Sequence, residues 1–283
     1  MPQNIYEFIW IFIIYAFIGW CTDVAYAALN TGRFVNRGFL NGPYCPIYGF
    51  GVVIVVAVLT PIKDNLLILF VGSLFLTSVL EYFTGLVLEK IFHNKWWDYT
   101  NEPFNIQGYV CLKFSIMWGL ACTFVMKLVH PAIYKAITVI PFVAGVAILV
   151  TIMIGFTVDC CVTVATILKF NKHLRLMNEM AARLHQISDE IGEHIYENVS
   201  IAVEKSEQFQ DEHEEFLQKV AEKRMDKRAE YEELIQKYKA LYEKKNIGFS
   251  RLVKAFPGME SLQNNEHLQQ YKEYINSLKK WKK

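Results

Sequence analysis

The sequence predicts an all-α fold: a polytopic membrane helix bundle of about five transmembrane helices, followed by a long cytoplasmic helical or coiled-coil tail. Three observations lead there. The mean hydropathy is positive although 20% of the residues are charged. The charge is also segregated. Residues 1–170 carry nine Lys/Arg and eight Asp/Glu, whereas residues 171–283 carry twenty of each. A soluble domain mixes core and surface residues locally, so this division points to two different solvents. Third, the apolar part breaks into runs of spanning length.

A helix needs about 20 mainly apolar residues to cross the hydrocarbon core. Segments 5–29, 47–62, 66–90, 110–129 and 136–168 approach this. The second is short and follows a Pro/Gly-rich stretch, so a partly re-entrant path is one reading. The last is about 50 Å long at helical rise, read as one tilted or protruding helix bent at Pro141. The N-terminus lacks a basic region and a small-residue cleavage site, and its apolar run is read as a retained span. Basic residues near the span ends set orientation. Arg33, Arg37, Lys90, Lys95, Lys169, Lys172 and Arg175 fall on the tail side, against Lys63 and Lys135 opposite. This predicts a multi-pass cell-membrane protein with its N-terminus outside and its tail in the cytoplasm.

The tail opens as a continuation of the last span. Phe170, Leu174, Met177, Ala181, Leu184, Ile191 and Ile195 follow 4,3 spacing, with Ser188 as the polar exception. A second pattern runs through Leu217, Val220, Tyr231, Leu234, Tyr238 and Leu241. Such seams pair between subunits or fold back as a hairpin, and spacing alone does not choose. The stretch RLVKAFPGMES at 251–261 reads as a short docked segment around Pro257, and Trp281 lies among lysines, which suits a membrane surface or equally a solvated end. The expected division is a transmembrane domain at 1–169, a cytoplasmic helical/coiled-coil region at 170–245, and a docking segment with a basic tail at 246–283.

Several chemistries find no pattern. The six cysteines lie in or beside apolar stretches without CxxC spacing, so they read as small buried residues rather than a metal or redox site. His185, Asp189 and Glu193 share a helix face that reads as solvated. A net charge of +1 excludes a generally basic nucleic-acid binder. No GxxxxGK[ST], GxSxG or HExxH occurs, and no cofactor is expected.

The residues that carry information are ionisable groups inside the spans: Asp23, Glu81, Lys113 and Asp159. An acid at mid-membrane costs about 2.5–3.5 kcal/mol on insertion scales, so these groups should face the bundle interior. Each sits on a small or polar stripe at helical spacing: Tyr15, Gly19, Asp23; Ser78, Glu81, Gly85, Glu89; Ser115, Gly119, Thr123; and Thr151, Gly155, Asp159, Thr163. Together with Arg33, Asn36, Arg37, Asn41, His93, Trp97, Asp98 and Asn105 from the tail-side loops, they predict a polar cavity open to the cytoplasm. The competing reading is structural: the acids pair with Lys113, Arg37 or backbone groups. The stretch NRGFLNGPYCPIYGFG, residues 36–51, breaks regular helix with Pro43 and Pro46, which fits either a transporter-like substrate site or a loop tightly packed on the bundle. In LEKIFHNKWWDYTNEPFNIQGYVCLKFSIMWG, residues 88–119, Trp96, Trp97 and Tyr99 suit a headgroup-level belt, but that role does not require Asp98, Asn105 and Lys113 beside them.

These two stretches, with His130-Pro131 after them, resemble the bacterial family labelled putative ABC-transporter type IV, or CmpB-like, over roughly residues 5–170. The 251–259 segment resembles the tail of some members. The resemblance implies a small multi-span, permease-like subunit. Its motif positions correspond to Asp23, Arg37, Asn41, Glu81, Trp97, Asp98, Asn105, Lys113 and Asp159. Asp23 stands where other members carry Glu, a conservative departure that shortens the reach of the acid.

The first functional expectation is a transport-type protein that binds a small polar or ionic solute in that cavity. If ATP drives it, a separate ATPase subunit supplies the energy. Expected partners are the lipid bilayer and further copies of the chain, joined through the tail. Two alternatives stand beside it. One is an intramembrane enzyme acting on a lipid-linked substrate, with Asp23, Glu81, His93 and Asp98 as acid/base groups. The other is a membrane-anchored scaffold or sensor working through the coiled coil.

Overall fold

The computed structural model describes residues 2–204, 212–243 and 246–280. It divides into two units: Met1–Lys169 with Ile247–Gln263, and Phe170–Asn246 with Asn264–Lys283. The fold is all-α, with strands of only two residues each among the described residues.

In the first unit, α1 spans Ile5–Thr31, and Asn4 caps it by accepting the Glu7 N–H at 3.0 Å. Its last turn closes at Gly32, whose φ of +65° suits a residue without Cβ. Helix α2 (Pro46–Leu59) opens on a proline, which costs no hydrogen bond at the first helical position, and runs into a 3-10 turn at Thr60–Ile62. Helix α3 (Leu66–Phe92) starts at Asn65, whose side chain accepts the N–H groups of Leu67 and Ile68 at 3.1 Å each. Then come α4 (Leu112–Phe124), a π segment (Val125–Val129), α5 (His130–Val139) and α6 (Phe142–Glu204).

Among the described residues, four helical stretches are long and apolar enough to cross a membrane: Ile5–Thr31, Leu66–Phe92, Leu112–Val139 and Phe142–Glu193. The apolar helix Pro46–Ile62 is shorter. Two boundaries differ from the sequence reading. The stretch ending near residue 129 continues to Val139, and a break at Ile140-Pro141 replaces the bend expected within one helix over 136–168. Proline restricts the residue before it to extended backbone, and Ile140 sits at ψ 123°. Pro131 lacks an N–H and crowds the carbonyl four residues back, which accounts for the π widening just before it.

The outer surface of this bundle is apolar. Phe75 and Phe83 on α3 are 63% and 57% exposed, and Ile154 on α6 is 62% exposed. A protein dissolved in water hides such residues; one dissolved in lipid presents them. The interior is built mainly where α1 meets α2, around Trp10, Ile11, Tyr15, Val52, Val55 and Leu59. Close approach there depends on glycine. A Cβ on Gly49 would lie 2.6 Å from the Phe12 carbonyl oxygen.

Between α3 and α4, strands β1 (Asn94–Lys95), β2 (Asn105–Ile106) and β3 (Val110–Cys111) shape a long loop. β2 and β3 form an antiparallel hairpin. β1 instead pairs antiparallel with β4 (Glu260–Ser261), in the segment that returns after α8 (Ile247–Ala255).

The second unit contains the later part of α6, α7 (Glu212–Glu243) and α9 (Asn265–Lys280). Arg183 pairs with Glu230 at 3.0 Å, and Lys227 pairs with Glu190. As one residue number rises its partner falls, so the two stretches lie antiparallel within one chain. Phe170, Leu174, Met177 and Ile187 are buried, together with Leu268 and Tyr271 of α9. Side-chain surroundings at Ile195, Leu217 and Val220, and the whole of Trp281, lie outside the described residues.

Candidate functional site

The polar residues singled out from sequence gather at one end of the first unit, where α1 and α3 end and α2 and α4 begin. They form three groups rather than one.

The first group joins two acids through aromatic side chains. Tyr48 donates its hydroxyl to Asp23 Oδ1 at 2.7 Å, and the Cys45 thiol donates to Asp23 Oδ2 at 3.5 Å. The Tyr48 ring meets the Trp118 ring edge to face, 5.5 Å between centroids. On the far side, Tyr99 donates to Glu81 Oε1 at 3.3 Å, and the Trp118 indole adds a looser polar contact to the same carboxylate. Glu81 is only 8% exposed, and its Oε2 is buried without a well-formed hydrogen bond. Burial, reinforced by the Glu81 charge, holds the Tyr99 hydroxyl above the ordinary phenol range, so it stays protonated and keeps donating. Arg37 acts electrostatically on Asp23 and on Tyr99. Its guanidinium stands 6.0 Å from the centre of the Tyr26 ring and, among the described residues, has no carboxylate within ion-pair distance. Arg37 is only partly buried, so the donors of its guanidinium that protein groups do not take are open to water or to a guest.

The second group is backbone-directed. Asp159 on α6 takes the N–H of Asn41 at 3.1 Å and its Nδ2 at 2.9 Å on one oxygen, and the N–H of Gly42 at 2.6 Å on the other. Thr163, one turn on, bonds both Asn41 Nδ2 at 2.9 Å and Asp159 at 3.4 Å. Here the charge of the acid is spent on orienting the 36–45 loop.

The third group builds the loop after α3. Trp97 Nε1 donates to the Tyr109 carbonyl at 2.9 Å. Asp98 accepts the Thr100 N–H at 2.9 Å and the Thr100 hydroxyl. Asn105 donates to the carbonyls of Thr100 and Glu102 and accepts the Gly108 N–H at 3.2 Å. Partial burial pushes the Asp98 carboxyl up, but the Thr100 hydroxyl and amide, helped by Lys95, outweigh it and hold the group below the ordinary carboxylate range. Lys113, in the first turn of α4, is exposed and pairs with Glu102 at 3.0 Å, not with any acid of the spans. The pairing of span acids with Lys113, weighed from sequence, is absent among the described residues.

Sequence reasoning missed Tyr48, Tyr99 and Trp118 as partners of the acids, although all three lie in or beside the two dense stretches. It also passed over Arg251, which donates to the carbonyls of Gly38 and Leu40 at 3.0 Å each and of Phe39 at 3.1 Å. Burial lowers the pKa of Arg251 from the usual arginine range, and the Asp159 charge works against that shift.

An apolar-surfaced helical bundle with carboxylates and a guanidinium at one end, Glu81 buried among them, defines a polytopic membrane protein. The chain belongs to the family described as putative ABC-transporter type IV, whose model matches residues 10–164, more than half of the sequence. That match contains Asp23, Arg37, Glu81, Tyr99 and Asp159. No curated protein matches the chain. No solved structure matches it either.

Proposed function

We propose that this chain is a permease-like membrane protein that binds a small polar or ionic solute between Asp23, Arg37 and Glu81, at the cytoplasmic end of the bundle. One observation carries the reading: a guanidinium without an ionic partner and a buried carboxylate oxygen without a well-formed bond share one cluster. Native interiors rarely leave a buried carboxylate oxygen unsatisfied, and a polar guest that reached both Glu81 and the partly exposed Arg37 would satisfy it. Tyr48, Tyr99 and Trp118 would line the guest's flanks. Asn41, Asp159, Trp97, Asp98 and Asn105 act here by shaping the two loops, and Lys113 by closing one of them onto Glu102.

The orientation follows the basic residues: N-terminus outside, loops 32–45 and 93–111 and the tail inside. A separate ATPase subunit is the energy source if ATP drives transport, and further copies of the chain associate through the tail by surfaces other than the α6 seam, which is buried within the chain. The test is reconstitution in liposomes with a screen of labelled ions and metabolites. Arg37→Gln and Glu81→Gln are each expected to lower uptake about tenfold or more, the scale of one lost charged contact. A screen in which nothing binds or moves, or in which both variants match the parent, removes the reading.

A further inference from the structure

The backbone of five consecutive residues, Gly38–Gly42, is held by two ions of opposite sign. The Arg251 guanidinium takes the carbonyls of Gly38, Phe39 and Leu40, and the Asp159 carboxylate takes the amides of Asn41 and Gly42. A short loop that can follow neither helix nor strand has its donors and acceptors satisfied from outside instead. Arg37, which has no ion-pair partner among the described residues, is the residue immediately before this stretch. Cys45, which bonds Asp23, lies three residues after it.

The segment that carries Arg251 also grips the second loop. Its strand β4 pairs with β1, and Leu262 donates to the His93 carbonyl at 3.0 Å. The Phe256 ring meets Trp96 edge to face at 4.8 Å. Leu252, Val253, Ala255 and Met259 are buried, so the docking has its own apolar anchor. In sequence the segment lies between two parts of the second unit, which ends at Asn246 and resumes at Asn264.

We propose that Ile247–Gln263 is a strap that holds both loops of the candidate site in register, with Arg251 as its positioning residue. The proposal rests on the reading of that cluster as a solute site, yet the strap is testable without any solute. Linkage is reciprocal: whatever favours docking of the strap favours the ordered site, and the converse.

The experiment compares full-length protein in detergent with Arg251→Gln, Arg251→Lys and Phe256→Ala. Two readouts are followed by mass spectrometry: amide exchange in 38–42 and 94–96, and the rate of maleimide alkylation at Cys45. Arg251→Gln should speed exchange in 38–42 and alkylation of Cys45 by about tenfold or more, because local opening then needs no ionic contact to break. Arg251→Lys should fall between, since an ammonium is a point charge without the guanidinium fork. Phe256→Ala removes the ring contact to Trp96, which in turn packs edge to face on Phe39 at 5.2 Å, and should loosen 38–42 as well as 94–96. Unchanged exchange in 38–42 and unchanged Cys45 reactivity in Arg251→Gln would overturn the proposal. Loosening confined to 94–96 in Phe256→Ala would also overturn it. Should Arg251→Gln lose the protected amides of 52–59 and so prove unfolded, Arg251→Lys and Phe256→Ala decide by the same criteria. Solute binding in Arg37→Gln tests the site and exchange in Arg251→Gln tests the strap, so either can fail alone.

Discussion

Gly19 on α1 sets the position of Tyr48, and Tyr48 sets that of Asp23. A Cβ on Gly19 would come within 2.5 Å of Tyr48 Cβ. Gly19→Ala should therefore displace the ring, cost about 1–3 kcal/mol in stability and weaken any solute binding. Gly155 lies on a similar stripe but has open space around its would-be Cβ. Gly155→Ala should be neutral or stabilise by about 0.5–1 kcal/mol, since alanine is the better helix former. Melting temperatures of the two variants in detergent separate these outcomes. Both glycines look alike in sequence. Spacing identifies a stripe; only packing decides which member of it is needed. Asp98 gives a pH prediction. Its carboxyl titrates below its unfolded value, so its contribution to the 98–108 loop is present above about pH 4 and is lost as pH falls through the depressed pKa. Exchange at the Thr100 amide should rise over that window, and Asp98→Asn should abolish the pH dependence. The pairing of Lys113 with Glu102 was not legible because it depends on where the loop turns back, which spacing does not encode.

At the level of elements, the apolar runs located α1, α3 and the start of α4 within a few residues, since lipid imposes length and apolarity directly. The break at Pro141 was anticipated as a bend, and its severity depends on the extended geometry of Ile140. The helix α9 was missed. Leu268, Tyr271 and Ile275 recur at helical spacing and are buried, but strongly polar neighbours hid the pattern. In the tail seam, Ile187 is buried where the 4,3 reading had placed polar Ser188. A helix drifts against a strict heptad, and a one-residue shift returns the apolar residue to the seam. The α6 contact to the 36–45 loop yields a prediction at this scale. Asp159→Ala leaves the Asn41 and Gly42 amides without an acceptor, which should cost about 2–4 kcal/mol and lower the melting temperature. Asp159→Asn, which retains one acceptor oxygen, should lose less. Equal melting temperatures for both variants and the parent would contradict the bonding described here.

At the scale of the whole molecule, family membership and a membrane-embedded helical bundle were both readable from sequence, because solvent segregation and two dense motif stretches leave a strong trace. The sequence leads one to expect Asp23, Glu81 and Asp159 around one shared cavity, but residue type and spacing do not say where each carboxylate points. Asp159 shows why: it shares residue type and spacing with Asp23, yet its oxygens go to the backbone of a loop. The central claim is that Arg37, with Asp23 and Glu81, receives a polar guest. It is tested most directly by side-chain-resolution maps of the full chain in lipid nanodiscs, for the parent and for Arg37→Gln. The account predicts non-protein density touching Arg37 and Glu81 Oε2 in the parent and none in the variant. A parent map in which Arg37 closes onto Asp23 or Glu81 as an ion pair, with no space between them, would contradict it.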